Sequence, residues 1–413
     1  MGYRVGVVGC GSAGPTVSAL LARQGHEVTL FERAPELLPV GTGFVIQPTG
    51  LWVLDQIGLR EEVVSYGGVI DALRIDRLVR PGRRRPLVSL EYDMIRDGLY
   101  GVGMYRPTIL GLLVRAMQEA GAELRTGVEV TGVGLRGGKR ILDTDGGEEG
   151  PFDLIIFSNG SRSQAREWLG IPHRAVEHKW GAFWAIVPDE HGRFGGHLHQ
   201  VVKGTQKMLG VLPTGVLPGG ERSDRLVSLF WSVRADRQEA ERARGVDAIA
   251  EEILQFNPRL DAALSHIKTI DDWMYSGYWD ITMKDWHRDG AIVIGDAAHA
   301  MTPQLGNGVN LALCDAWTLA HALETEPDID AALAHYTRAR RNHLHYYSTA
   351  TRWITHLFQS SVPGLAALRR AGFVAANGMP PVRRQMVRSM AGVKRGLFHR
   401  SYPTDGSPGR FAD

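Results

Sequence analysis

Three glycines with G-x-G-x-x-G spacing, Gly9, Gly11 and Gly14, follow the apolar run Val5–Val8 and precede a segment with helical apolar spacing at Val17, Leu20 and Leu21. A second apolar run, Glu27 to Phe31, ends in an acid, Glu32. A strand, a glycine turn, a helix, a strand and a terminal acid in this order make a dinucleotide site. Gly9 permits the tight turn, Gly11 lets a pyrophosphate approach the backbone, and Gly14 lets the helix pack close to the strand. The helix start offers free N–H groups and partial positive charge to phosphates. Glu32 can accept hydrogen bonds from ribose hydroxyls. Ser12 and Ala13 inside the turn, and Arg33 after the acid, belong to the same candidate site.

Two other charged groups stand out. Arg106-Pro107-Thr108 opens a helix whose buried face is Leu110, Leu113, Val114 and Met117. Proline suits that first turn, but a cation there opposes the helix dipole, so a bound anion would explain Arg106. Asp296 follows the buried run Ala291–Ile294, and Pro303-Gln304-Leu305-Gly306-Asn307-Gly308 leads into a long apolar helix.

The elements that must position these residues read as α/β. Strands are expected at Asp71–Val79 and Leu87–Tyr92, around a basic turn from Arg80 to Pro86. Others are expected at Glu123–Val133, Lys139–Asp143 and Phe152–Phe157. From Lys179 to Arg234 the pattern is strand-rich with Gly and Pro turns, as in an inserted antiparallel sheet. Helical spacing dominates from Arg237 to Gln255 and again from Asn310 to about Val393.

With 413 residues the chain has room for two domains, and 44% hydrophobic with 22% charged residues is ordinary for a globular protein. A formal net charge of +2 gives no sign of a nucleic-acid partner. Cys10 and Cys314 lie far apart, without metal-ligand spacing, which fits a reducing cytoplasm and no metal. No apolar stretch reaches the ~18–20 residues of a membrane span. The chain opens on a strand, so no signal peptide is expected.

Three separated segments resemble the class A flavoprotein monooxygenases, the para-hydroxybenzoate hydroxylase-like aromatic-ring hydroxylases. They are the glycine turn with Glu32, the stretch from Asp153 to Arg166, and Gly295-Asp296 onward to Asn310. The resemblance implies a Rossmann-like FAD-binding domain, an inserted, mostly antiparallel β-sheet substrate domain and a helical C-terminal region. The expected division gives residues 1–70, 101–178 and 271–325 to the FAD domain, 71–100 and 179–270 to the substrate domain, and 326–413 to the C-terminal helices. It implies that Gly9, Gly11 and Gly14 cradle the FAD pyrophosphate and that Glu32 holds the adenosine ribose. Arg106 would contact the cofactor and Asp296 the ribityl chain. Pro303 would lie at the flavin face. Gly306, Asn307, Gly308, Val309 and Asn310 would bring a helix N-terminus to the pyrimidine edge.

The implied reaction is reduction of FAD by NADPH or NADH, addition of O2 at C4a, and transfer of OH to an electron-rich aromatic substrate. The alternatives on the same scaffold are halogenation, epoxidation or reduction, and, from another class, flavin binding without catalysis. The chain departs from the family pattern at Asn159, where Asp is usual, and at Asn307, where Gln is common. It also lacks an arginine on Phe183–Ile186 to anchor a substrate carboxylate. No catalytic residue is assigned. The candidates to line the substrate pocket are His199, Met208, Phe230, Trp231 and Trp184; each is otherwise a core residue. His299 reads as a packed, hydrogen-bonded histidine. Residues 362–403 hold basic side chains, Arg400 among them, and no acid before Pro403. A solvated helical face is the first reading of that stretch and contact with an anionic membrane the second. The chain would act as a monomer or homodimer.

Overall fold

A computed structural model describes residues 2–37, 41–221 and 224–396. Arg400 and the rest of the chain from 397 lie outside the described residues. Val5–Val8 are buried on both faces, which is why they form the central strand of a parallel sheet. That sheet has six strands, in the order His287–Arg288, Ala291–Val293, Leu154–Phe157, Arg4–Val8, Glu27–Glu32, Glu123–Thr126. All pair in parallel except His287–Arg288. Gly9 (φ 102°) ends the central strand, and the helix Ala13–Arg23 starts four residues on.

A nine-stranded sheet stands beside it. Its long strands are Gly68–Arg80, His173–Pro188, Gly196–Lys203, Lys207–Gly215, Leu226–Arg234 and Met274–Met283. It is antiparallel except where Gly196–Lys203 runs parallel to Gly68–Arg80. One face packs toward the six-stranded sheet. The other is covered by the helix Gly245–Phe256, whose Ile249, Ile253 and Phe256 recur at helical spacing and are buried. A three-stranded antiparallel sheet, Val130–Arg136, Lys139–Thr144 and Gly147–Phe152, completes the strands. No helix among the described residues is long and apolar enough to cross a membrane.

Several boundaries differ from the sequence expectation. Gly43–Ile46, Gly101–Tyr105 and Met274–Met283 pair within the nine-stranded sheet, although they fall in stretches expected to serve the FAD domain. Their pairing partners are distant in sequence, so local pattern carried no sign of it. Glu123–Val133 is two strands, split at Gly127 (φ 71°). The basic turn from Arg80 to Pro86 is mostly strand, with only Pro81 and Gly82 between Arg80 and Arg83.

A buried polar network joins the Gly295–Asp296 turn to the C-terminal helices. Asp315, on the helix Gly308–Thr325, is fully buried. It accepts from the Gly295 N–H (2.9 Å) and Arg340 Nε (2.7 Å) and bonds His299 Nε2 (2.5 Å). Burial alone would raise its pKa, but the His299 and Arg340 charges and these bonds hold it well below the usual carboxylate range. Its contribution to stability is therefore present above the ordinary carboxylate pKa and lost only as pH falls through the depressed value. Asp315→Ala removes the buried carboxylate that accepts from Gly295 and Arg340 and bonds His299. A loss of about 3–5 kcal/mol is expected in urea unfolding at neutral pH; a loss under about 1 kcal/mol would contradict the clamp.

Candidate active site

A cavity of about 580 Å³ opens over the C-terminal end of the central parallel strands, where open α/β sheets bind ligands. Gly9, Gly11, Ser12 and Ala13 form its floor, with Glu32 and Arg33 at one end. Arg106, Asn159, Arg162 and Trp168 line it, as do Asp296, Gly308 and Val309 on the far side. Gly14 lies beneath, where a Cβ would stand 2.1 Å from the Gly9 carbonyl oxygen. A Cβ at Gly9 would meet the Asn159 Cα at 2.5 Å. Gly11 is different, because a Cβ there would meet nothing closer than Ser158 O at 3.8 Å. Its freedom serves whatever enters the cavity.

Glu32 is held by the N–H groups of Cys10 (2.8 Å) and Ala34 (3.0 Å), one on each carboxylate oxygen. Each oxygen keeps acceptor capacity for a further donor. Asn159 Oδ1 is buried without a protein partner among the described residues. Such an atom is costly unless something donates to it. Burial and then the Glu32 charge push the Cys10 thiol up to about 12, so it is an inert packing group.

A second cavity, of about 40 Å³, lies between the nine-stranded sheet and the Pro303–Gly306 turn. Gln47, Tyr92, Leu198, Gln200, Gln304 and Met390 are among its lining residues, and no charged side chain is. Tyr92 donates to Gln47 Oε1 at 2.6 Å, and burial raises its pKa, so the phenol stays neutral. Asn310 takes the Gln47 N–H on Oδ1 (2.8 Å) and donates through Nδ2 to the Val45 (3.0 Å) and Gly306 (3.1 Å) carbonyls. Asn307 donates to the Leu305, Ser389 and Met390 carbonyls. Neither asparagine side chain is spare for a ligand through its amide nitrogen.

Residues 2–349 match the family model described as FAD binding domain. The chain belongs to the FAD binding domain family. Its relatives include a probable 2-heptyl-3-hydroxy-4(1H)-quinolone synthase of Rhodococcus erythropolis, 26% identical over 81% of this chain and 83% of that one. Another is a kynurenine 3-monooxygenase of Salinispora arenicola (strain CNS-205), 28% identical over 82% and 76%. Among solved structures, a point mutant of 2-methyl-3-hydroxypyridine-5-carboxylic acid oxygenase shares the fold with a TM-score of 0.75 and 22% identity, covering 90% of this chain and 96% of that one. These are relatives of the class A flavin monooxygenase type that the motifs resemble.

The larger cavity fits FAD by its own chemistry. A glycine floor lies open at Gly11, a carboxylate with free acceptor capacity stands at Glu32, and Asn159 offers an orphaned amide oxygen. Of the motif residues, Pro303 and Gly306 line the smaller cavity, whereas Asn307 and Asn310 line neither.

The pocket candidates separate by strand register. Trp184 stands opposite Phe230, Phe230 opposite Gly210, and Gly210 opposite Gln200. Directly opposed residues share a face, so Trp184 and Phe230 lie on the Gln200 side of the sheet. Met208, opposite Val202, does too. None of the three lines the smaller cavity; Trp184 and Phe230 pack edge-on at 4.9 Å. His199 and Trp231 lie on the other face of the sheet. His199 bonds Asp76 (3.0 Å) on the face opposite its neighbours Leu198 and Gln200. Trp231 packs on Phe256 and under Lys207 in the core behind the sheet. A one-residue register choice decided both. His299 is buried against Asp315. Sequence reasoning missed Gln47, Tyr92 and Gln200; polar residues flanked by apolar ones on strands and loops were the available sign.

Gly11→Val is expected to keep the fold while blocking the cavity. The melting temperature should stay close to wild type and FAD binding should be lost in a flavin-absorbance titration. Retained FAD affinity would contradict the cavity assignment.

Proposed function

We propose that the protein is an FAD-dependent monooxygenase that uses NADPH or NADH and O2 to place one oxygen atom on a neutral, electron-rich aromatic ring. One observation carries the reading. The segment Pro303–Val309 borders both cavities, with Pro303 to Gly306 on the smaller and Gly308 and Val309 on the larger. A molecule in the smaller cavity is thus one turn of chain from the cofactor.

Bound FAD supplies the redox chemistry, accepting electrons from the nicotinamide donor and activating O2. The chain supplies position and polarity. The helix Gly308–Thr325 presents its N-terminus at the edge of the cofactor cavity. Free N–H groups there favour negative charge by about 0.3–2 kcal/mol. Gln47, Gln200 and Gln304 offer neutral amides to a ring's polar edge, and Leu198, Ile70 and Leu73 cover its faces. A carboxylate would find no counter-charge in that lining, which supports a neutral substrate such as a phenol, hydroxypyridine or quinolone. The named chemistry of the quinolone synthase relative agrees with this class. A cavity of about 40 Å³ holds water rather than a ring, so the lining must yield on binding. The buried free thiols Cys10 and Cys314 support a cytoplasmic setting.

NAD(P)H oxidation followed with and without neutral phenols, hydroxypyridines and quinolones should rise with a substrate whose product gains one oxygen atom in mass spectrometry. Gln200→Leu should raise KM about 2–10-fold, the worth of one hydrogen bond, with a smaller effect on kcat. Halogen incorporation, or no turnover with either donor, would overturn the reading.

A further inference from the structure

Two surfaces unused by the cofactor chemistry meet at one end of the nine-stranded sheet. The first is the hairpin formed by Gly68–Arg80 and Arg83–Glu91. From 77 to 85 it carries Arg77, Arg80, Arg83, Arg84 and Arg85 and no acid. The register sets Arg77 opposite Arg85 and Arg80 opposite Arg83. Like charges directly opposed across a strand pair are destabilising, and none of these arginines is in an ion pair among the described residues.

The second surface is the helix Leu365–Asn377 with its flanks. Leu368 and Val374 are 63% and 64% exposed, and Val362, Met379 and Val382 are exposed beside them. From 361 to 396 the chain has basic residues and no acid. Arg369 donates to the Gly204 carbonyl (2.8 Å), and Asn377 donates to the Leu87 carbonyl (2.9 Å). Gly204 follows the strand Gly196–Lys203, whose Val202 is level with Arg77. The helix is thereby fastened across the strands from which the basic hairpin projects.

Clustered exposed apolar side chains mark an interaction site. A second copy is a poor occupant, because a two-fold axis sets a patch against its own image, and neither 77–85 nor 361–396 holds an acid to pair with the partner's arginines. Charge complementarity points elsewhere. We propose that this surface docks on an anionic lipid membrane, with Leu368, Val374 and Met379 entering the interface and the hairpin arginines against headgroup phosphates. Basic faces with apolar anchors bind this way, and each basic residue at such a surface is worth about fivefold in partitioning.

The test is flotation of the full chain, loaded with FAD, on phosphatidylcholine vesicles and on vesicles mixed with phosphatidylglycerol. Binding is expected only on the anionic vesicles, and should be lost at about 0.5 M salt, where screening is strong. Arg83→Gln with Arg85→Gln should lower partitioning about 25-fold. Leu368→Glu should reduce it to the neutral-vesicle level. Both variants should keep bound flavin absorbance and melting temperature. No binding to anionic vesicles, equal binding to both kinds, or a wild-type dimer that Leu368→Glu converts to monomer would overturn the proposal. Flotation is read without turnover, so its failure leaves the monooxygenase reading untouched.

Discussion

Asp315 is a carboxylate sealed from water, and the shape of both cavities depends on how it is held. Removing a charge from water costs several kcal/mol unless its partners are complete. Here one oxygen serves the Gly295 backbone and His299, and the other serves Arg340. Arg340 passes the connection on, donating to the Leu311 carbonyl and to His343 Nδ1. Burial and the nearby Arg340 charge lower the His343 pKa, so the ring is neutral. Its Nε2–H then donates to the Gly392 carbonyl. An unbroken polar path thus runs from the last parallel strand to the segment beyond the last helix.

That path explains how the six-stranded and nine-stranded sheets share one wall. The turn after Gly295 and the helix start at Gly308 are fixed to one buried anion at opposite ends of a short loop. Pro303–Gly306 is the loop's outer edge and closes the smaller cavity. Asn307 and Asn310 spend their amides on this geometry, tying the loop to Val45, Ser389 and Met390. Asn in place of the longer Gln at 307 is therefore a structural choice, since its amide is engaged by three carbonyls of the chain itself. The C-terminal helices complete the wall through Met390, and their outer face is the one that carries the exposed apolar residues.

Much of this was legible in the sequence because local chemistry forced it. Glycines at 9, 11 and 14, apolar strands buried on both faces, and an acid at the end of the second strand leave few other arrangements. The G-D turn was equally plain, as was the misplaced cation at Arg106. What could not be read depended on register and on distant pairing. Whether Leu198 or His199 faces the smaller cavity is a matter of one residue, and nothing local distinguishes the two. Gly43–Ile46 joins the larger sheet only because Gly101–Tyr105 is there to receive it. Asp315 looks like an ordinary polar residue within an apolar helix, and its partners Gly295 and Arg340 lie 20 and 25 residues away.

The central claim is that three distant segments converge to hold one FAD. The most direct measurement is gel filtration of the purified chain after incubation with FAD, with protein and flavin absorbance recorded together. The account predicts co-elution of one flavin per chain. A colourless protein peak, with all the flavin in the small-molecule fraction, would contradict it.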